Sequence, residues 1–168
     1  LNNLVREQLN QAGMLIDSAQ KFQVLRPLNM SIEEKRQLHL YQPGDVVRIN
    51  KDLDSKLIKD GYFTVYKVDL ENKYVELRNA SVQVLWHPEK TLKNLKDVEV
   101  FKSCLWELQK GDILIWSRTV KDENNKELNR IKGQTAVVTE VNENQISVKL
   151  PNDQIINLNA QSFKEQHW

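Results

Sequence analysis

The chain has 168 residues, 40% hydrophobic, 28% charged and 7% aromatic, and its 24 Lys and Arg against 23 Asp and Glu leave a formal net charge of +1. Such figures suit one or two small domains with modest cores; they exclude a strongly basic, histone-like nucleic-acid clamp and an acidic tail protein, but leave room for a local basic face. The single cysteine, Cys104, excludes an internal disulfide and a cysteine-rich zinc site. No apolar run reaches the roughly 18 to 20 residues of a membrane span, and the Leu1-Asn2-Asn3 start is not a secretory signal.

A cytoplasmic protein with no membrane insertion is therefore expected. The absence of a Met at the start and of a polar tail at the end leads us to expect a piece of something larger.

Residues 1 to about 20 predict a helix, because Leu1, Leu4, Val5, Leu9, Ala12, Leu15 and Ile16 recur on one face, with Gly13 weakening the last turn. Residues 23–27 predict an extended run into Pro27. Ser31 with Glu34 forms a capping box, so a short second helix should start there and end near His39 to Tyr41. From Pro43 onward strands and turns take over. Strands are expected over 45–50, 62–69, 74–79 and 82–86, and residues 87–104 form a mixed connector with room for one more strand.

An internal echo organises the rest. Residues 43–49, Pro-Gly-Asp-Val-Val-Arg-Ile, return as residues 110–116, Lys-Gly-Asp-Ile-Leu-Ile-Trp, an offset of 67. Residues 65–77 return as residues 138–150, an offset of 73, with the longer loop at 117–132 absorbing the difference. Both copies share one grammar: turn with Gly-Asp, strand, loop, strand, polar turn, strand. Short strands joined by tight turns close into small barrels. The expected fold is mainly β with N-terminal helices (α+β): two tandem small SH3-like or OB-like β-barrels. Residues 1–42 are expected as a helical lead-in and linker, 43–104 as a first barrel with its connector, and 105–168 as a second barrel.

Nothing in the sequence looks catalytic. His39, His87 and His167 lie far apart with no metal-binding spacing, and nothing couples Cys104 to a base, so it reads as a small buried hydrophobe. Gly133-Gln134-Thr135 matches only a fragment of a phosphate loop, and the carboxylates are scattered on turns. Nucleic-acid contact is the remaining chemistry. Trp116 and Arg118, then Arg130, Lys132 and Gln134, bracket the second loop, an aromatic plane near cations and amides, as single-strand-binding barrels have. Arg48, Asn50, Lys51, Lys56 and Lys59 occupy the corresponding first loop. The alternative is a solvated loop whose charges keep the surface soluble, with Trp116 half in the core.

Taken together, several stretches resemble a known family. Leu1-Asn2-Asn3-Leu4-Val5-Arg6, Val24-Leu25-Arg26-Pro27, Glu34-Lys35-Arg36 and Tyr41-Gln42-Pro43-Gly44-Asp45-Val46-Val47 resemble a stretch within the helicase part of conjugative relaxase-helicases, the TraI/TrwC family. Gly111-Asp112-Ile113-Leu114-Ile115-Trp116-Ser117-Arg118, Ile131-Lys132-Gly133-Gln134 and the 137–158 meander resemble the SH3-like 2B subdomain of RecD-like superfamily-one helicases. Lys132 departs from the family's Asn, and Pro151-Asn152-Asp153-Gln154 from its Asp-Gly turn.

The resemblance implies a fragment spanning the 2B and 2B-like subdomains, with no catalytic, metal or cofactor residue of its own. ATP and Mg would belong only to the remaining helicase domains of the parent. It further implies an internal translocation signal, read by the type IV secretion coupling protein, that lies next to single-stranded DNA during plasmid transfer and is exported with it to the recipient cell. The competing expectation is a single-stranded-DNA clamp with no recruitment role. The residues expected at the DNA are Arg48, Lys51, Trp116, Arg118, Arg130 and Lys132.

Overall fold

The computed structural model describes residues 19–121, 129–163 and 166–167. The helix expected over residues 1–20 lies almost wholly outside that range. At Gln20 the chain is already extended, in strand β1 (Gln20–Pro27). Helix α1 (Ile32–Arg36) starts at the expected capping box: the Glu34 N–H donates to Ser31 Oγ at 3.2 Å, and the Ser31 N–H donates to Glu34 Oε2 at 2.7 Å. It is shorter than expected, and a separate turn of 3-10 helix (Leu38–Leu40) completes the predicted span.

The remaining elements are β2 (Val46–Ile49), β3 (Tyr62–Asp69), β4 (Tyr74–Arg78), β5 (Gln83–Trp86), a one-turn helix α2 (Pro88–Thr91), β6 (Val98–Leu108), β7 (Ile113–Ile115), β8 (Thr135–Asn142), β9 (Gln145–Lys149) and β10 (Ile155–Asn159). They form two antiparallel sheets, in the orders β1-β6-β2-β3-β4-β5 and β10-β9-β8-β7. The fold is mainly β, and the sheets are open: neither closes into a barrel among the described residues.

The connector holds more structure than its composition suggests. Strand β6, 11 residues long, lies inside the first sheet between β1 and β2. Its polar positions Glu99, Lys102 and Ser103 interrupt the apolar run, so pattern alone understates it, whereas neighbours on both edges supply its ladder.

The chain divides into two compact units: Val24–Cys104, and the described residues before Val24 together with those from Leu105 onward. The first unit packs Val47, Ile49, Phe63, Val65, Val75, Leu77, Trp86, Val98 and Val100 into one cluster. Tyr41 meets Trp86 edge-on at 5.7 Å, and its buried hydroxyl donates to Lys35 O at 2.5 Å. The second unit buries Leu114, Trp116, Ala136, Val138, Ile146, Val148 and Leu158.

The echo is a structural repeat down to individual hydrogen bonds. Gly44 and Gly111 share a left-handed backbone, φ 92° and 90°, which glycine adopts without a Cβ penalty. The Gly44 N–H donates to Val65 O at 2.9 Å and the Gly111 N–H to Val138 O at 2.8 Å. In return the Val65 N–H donates to Asp45 O, and the Val138 N–H to Asp112 O, each at 2.8 Å. Each Asp then ties its own turn, accepting from the Gln42 N–H at 2.8 Å in one copy and the Gln109 N–H at 3.0 Å in the other. Both copies also carry a β-bulge at the matched place, after Val65 and after Val138.

The repeat corrects one detail of the sequence alignment. Asp69 pairs with Tyr74 across a four-residue turn, whereas Asn142 pairs with Gln145 across a two-residue turn, so Val75 matches Ile146 and Leu77 matches Val148. A slip of two leaves every side chain on its own face, which is why the apolar pattern alone could not detect it.

Candidate nucleic-acid interface

Each unit joins its first two meander strands through a connection, residues 50–61 in the first and 117–134 in the second, of which 122–128 lie outside the described residues. Their stems are the same. The Ile49 N–H donates to Gly61 O at 2.9 Å and the Asp60 N–H returns to Ile49 O at 2.7 Å; the Trp116 N–H donates to Gln134 O at 3.0 Å and the Gly133 N–H returns to Trp116 O at 2.8 Å. The corner residues Asp60 and Gly133 are both left-handed, φ 65° and 84°.

This correspondence of stems makes Lys51 the counterpart of Arg118, and Lys59 the counterpart of Lys132. Even the loop closures agree. The Lys59 N–H donates to Asp52 Oδ1 at 2.6 Å, and the Lys132 N–H donates to Thr119 Oγ1 at 3.1 Å. Each unit therefore presents a cation at two matched loop positions. Lys51, Lys59 and Lys132 are exposed and Arg118 is half-buried. The second stem is further tied by a two-bond bridge between Val120 and Arg130, at 2.8 and 3.0 Å.

The loops differ in charge. Residues 50–61 hold three lysines and three aspartates, whereas residues 117–133 hold five cations and three carboxylates. Thr119 replaces Asp52, and Gly133 replaces Asp60. By sequence the second loop carries the larger excess of positive charge.

The structure separates the six expected residues into two kinds. Lys51, Arg118 and Lys132 stand on the loops as expected. Arg48 does not: its side chain is buried, with Nη2 2.5 Å from Asp60 Oδ1, Nη1 2.9 Å from Glu99 Oε2, and a further bond to Asn50 Oδ1. Two carboxylates answer its charge, and it ties β2 to β6 and to the loop corner. Trp116, 2% exposed, is a core residue in the position of Ile49 and offers no open face to a base. Bulk is exchanged across the repeat, Ile49 and Phe63 in one unit becoming Trp116 and Ala136 in the other. Arg130 is buried as well, its guanidinium 5.5 Å from the Trp116 ring centroid, where it covers that ring.

Asp97 sits where the first loop meets β6. Burial pulls its carboxyl upward, but the Asn94 and Lys93 N–H groups, the Asn94 side chain and the charge of Lys51 hold it below the ordinary carboxylate range. Among the described residues no cluster of His, Cys, Asp and Glu could hold a metal ion, and no helix is long and apolar enough to cross a membrane. No protein-family model matches the chain, and no curated protein matches it.

Proposed function

We propose that this chain is a non-catalytic module of a conjugative relaxase-helicase of the TraI/TrwC type, lying next to single-stranded DNA and serving as an internal translocation signal for the type IV secretion coupling protein. Each unit is read as an SH3-like meander. What supports the DNA-proximal role is one observation: two repeated units present cations at the same two loop positions, Lys51 and Lys59 in one, Arg118 and Lys132 in the other. The near-neutral chain fits a module that borrows most of its DNA affinity from a surrounding helicase. ATP and Mg belong, in this reading, to that helicase.

The test is anisotropy of a labelled single-stranded oligonucleotide titrated with the chain at low and high salt. Weak binding that falls with salt is expected, with a log-log slope of about 0.7 per phosphate contact. Arg118→Ala with Lys132→Ala should weaken it more than Lys51→Ala with Lys59→Ala. No binding at low salt would overturn the DNA role. For the signal role, a parent protein lacking residues 1–168 should fail to be exported; normal export alongside lost DNA binding would leave the clamp reading in its place.

A further inference from the structure

The first unit carries a stacked pair of side chains that its repeat partner lacks. In β3 the register shifts between Val65 and Lys67, so Tyr66 is the extra residue of the bulge. A bulge re-aims a side chain. Here the Tyr66 ring meets the guanidinium of Arg78 on β4, whose Cζ lies 3.3 Å from the ring centroid. Glu76 Oε1 lies 2.7 Å from Arg78 Nε and 2.6 Å from Nη2. Glu76 is only 7% exposed, whereas Tyr66 is 56% exposed. A carboxylate so far withdrawn from water fixes the guanidinium plane, and with it the stack.

The fold does not require this arrangement. The second unit keeps the bulge but fills the seats of Tyr66, Glu76 and Arg78 with Thr139, Ser147 and Lys149. There the Thr139 hydroxyl donates to Ser147 O at 3.1 Å, and Lys149 Nζ lies 2.7 Å from Asp153 Oδ1. Charge around the first stack cancels in pairs, Arg78 with Glu76 and Lys67 with Asp69 at 3.1 Å. The surface left to a ligand is therefore flat and close to neutral, which suits a planar uncharged group better than a phosphate. Thr64 and Gln83 lie opposite Arg78 on its two sides, and Leu85, 54% exposed, lies opposite Glu76.

We infer that the Tyr66–Arg78 stack is a binding site for an unpaired nucleobase, which lies on the open side of the stack with its polar edge toward Thr64 and Gln83. Aromatic rings and guanidinium planes are the surfaces on which splayed bases stack. A base edge also offers the donors and acceptors that a hydroxyl and an amide match, whereas an apolar protein side chain would match Leu85 alone. The inference rests on the proposal that single-stranded nucleic acid reaches this chain, but not on which loop receives its phosphates. Stacking is not a charge interaction, so this contribution is independent of salt.

The probes are oligodeoxythymidylate and the same strand with abasic sites, each titrated into the intact protein at several salt concentrations. In the parent protein the intact strand should shift the Tyr66 ring-proton resonances upfield, and the abasic strand should not. Tyr66→Leu should weaken binding of the intact strand about fivefold or more without changing the salt slope, and Tyr66→Phe should restore it. Neither variant should alter binding of the abasic strand. Tyr66 resonances unmoved by saturating intact strand overturn the inference even where the loop variants weaken binding. Equal shifts with both strands overturn it as well, since they would assign the contact to sugar and phosphate. Shifted Tyr66 resonances with the loop variants at parent affinity support the stack and overturn the loop reading alone. No binding at low salt overturns both.

Discussion

Asp52 and Thr119 hold the same seat in the two loops, each accepting the backbone N–H of the lysine that closes its loop, Lys59 at 2.6 Å and Lys132 at 3.1 Å. A carboxylate and a hydroxyl do the same structural work there and differ only in charge. Thr119→Asp should therefore keep the second loop closed while weakening oligonucleotide binding, and Asp52→Thr should strengthen any contribution of the first. The salt slope should shift by about one phosphate contact or less, that is about 0.7 in log-log units. Equal affinities for both variants and the parent sequence would show that the loops do not face the polyanion.

The sequence made the loops legible because their cations recur at the offsets of the echo. It made Trp116 and Arg48 misleading for a physical reason. A tryptophan next to an arginine suggests a stacking platform, but the same echo aligns Trp116 with Ile49, a core position, and that alignment was the available signal. Arg48 reads as a free cation until Asp60 and Glu99, distant in sequence, close on it. The capping box at Ser31 and the Gly-Asp turns are local hydrogen-bond patterns and were read correctly. Strand β6 depends on partners on both sides, and no local pattern encodes those.

Gly44 and Gly111 provide a direct test of the repeat. A Cβ at either position would meet nothing within 4 Å, so substitution costs backbone strain rather than a clash. Gly44→Ala and Gly111→Ala should each destabilise by about 1–2 kcal/mol, the cost of a left-handed conformation for an L-residue. Thermal melts of the two variants should show similar losses, each in its own unit. A loss confined to one variant would mean that the shared turn is not equally important to both units.

The β3–β4 turn should be acid-sensitive where its β8–β9 counterpart is not. Asp69 closes the β3–β4 turn, accepting from the Asn72 N–H at 2.9 Å and from Lys67 Nζ at 3.1 Å, and these bonds lower its carboxyl to about 2. Its counterpart in the second unit is Asn142, which does not titrate. A carboxylate with a lowered folded pKa stabilises above its unfolded value, near 3.8, and that stabilisation is lost as pH falls toward about 2. Melting temperatures measured between those limits should fall for the parent sequence, and the Asp69-dependent part of the fall should vanish in Asp69→Asn. An identical acid profile in Asp69→Asn would remove this turn as a source of the pH dependence.

Lys35 anchors α1 through its charge rather than its stem. Its buried ammonium donates to Leu95 O at 2.6 Å and to Val98 O at 2.7 Å, while burial lowers its pKa and the nearby Glu99 and Asp97 charges oppose that shift. Lys35→Met would preserve length and apolar packing but leave both carbonyls without this donor. The expected cost is about 1–3 kcal/mol, the penalty of an unsatisfied buried acceptor. Because Val98 O lies at the start of β6, the loss should be accompanied by faster amide exchange along Val98, Glu99 and Val100. Arg36 independently donates to Leu92 O at 2.7 Å, so α1 should remain tethered there in Lys35→Met. A neutral melting temperature together with unchanged β6 exchange would mean that the ammonium contributes nothing beyond the methylenes it carries.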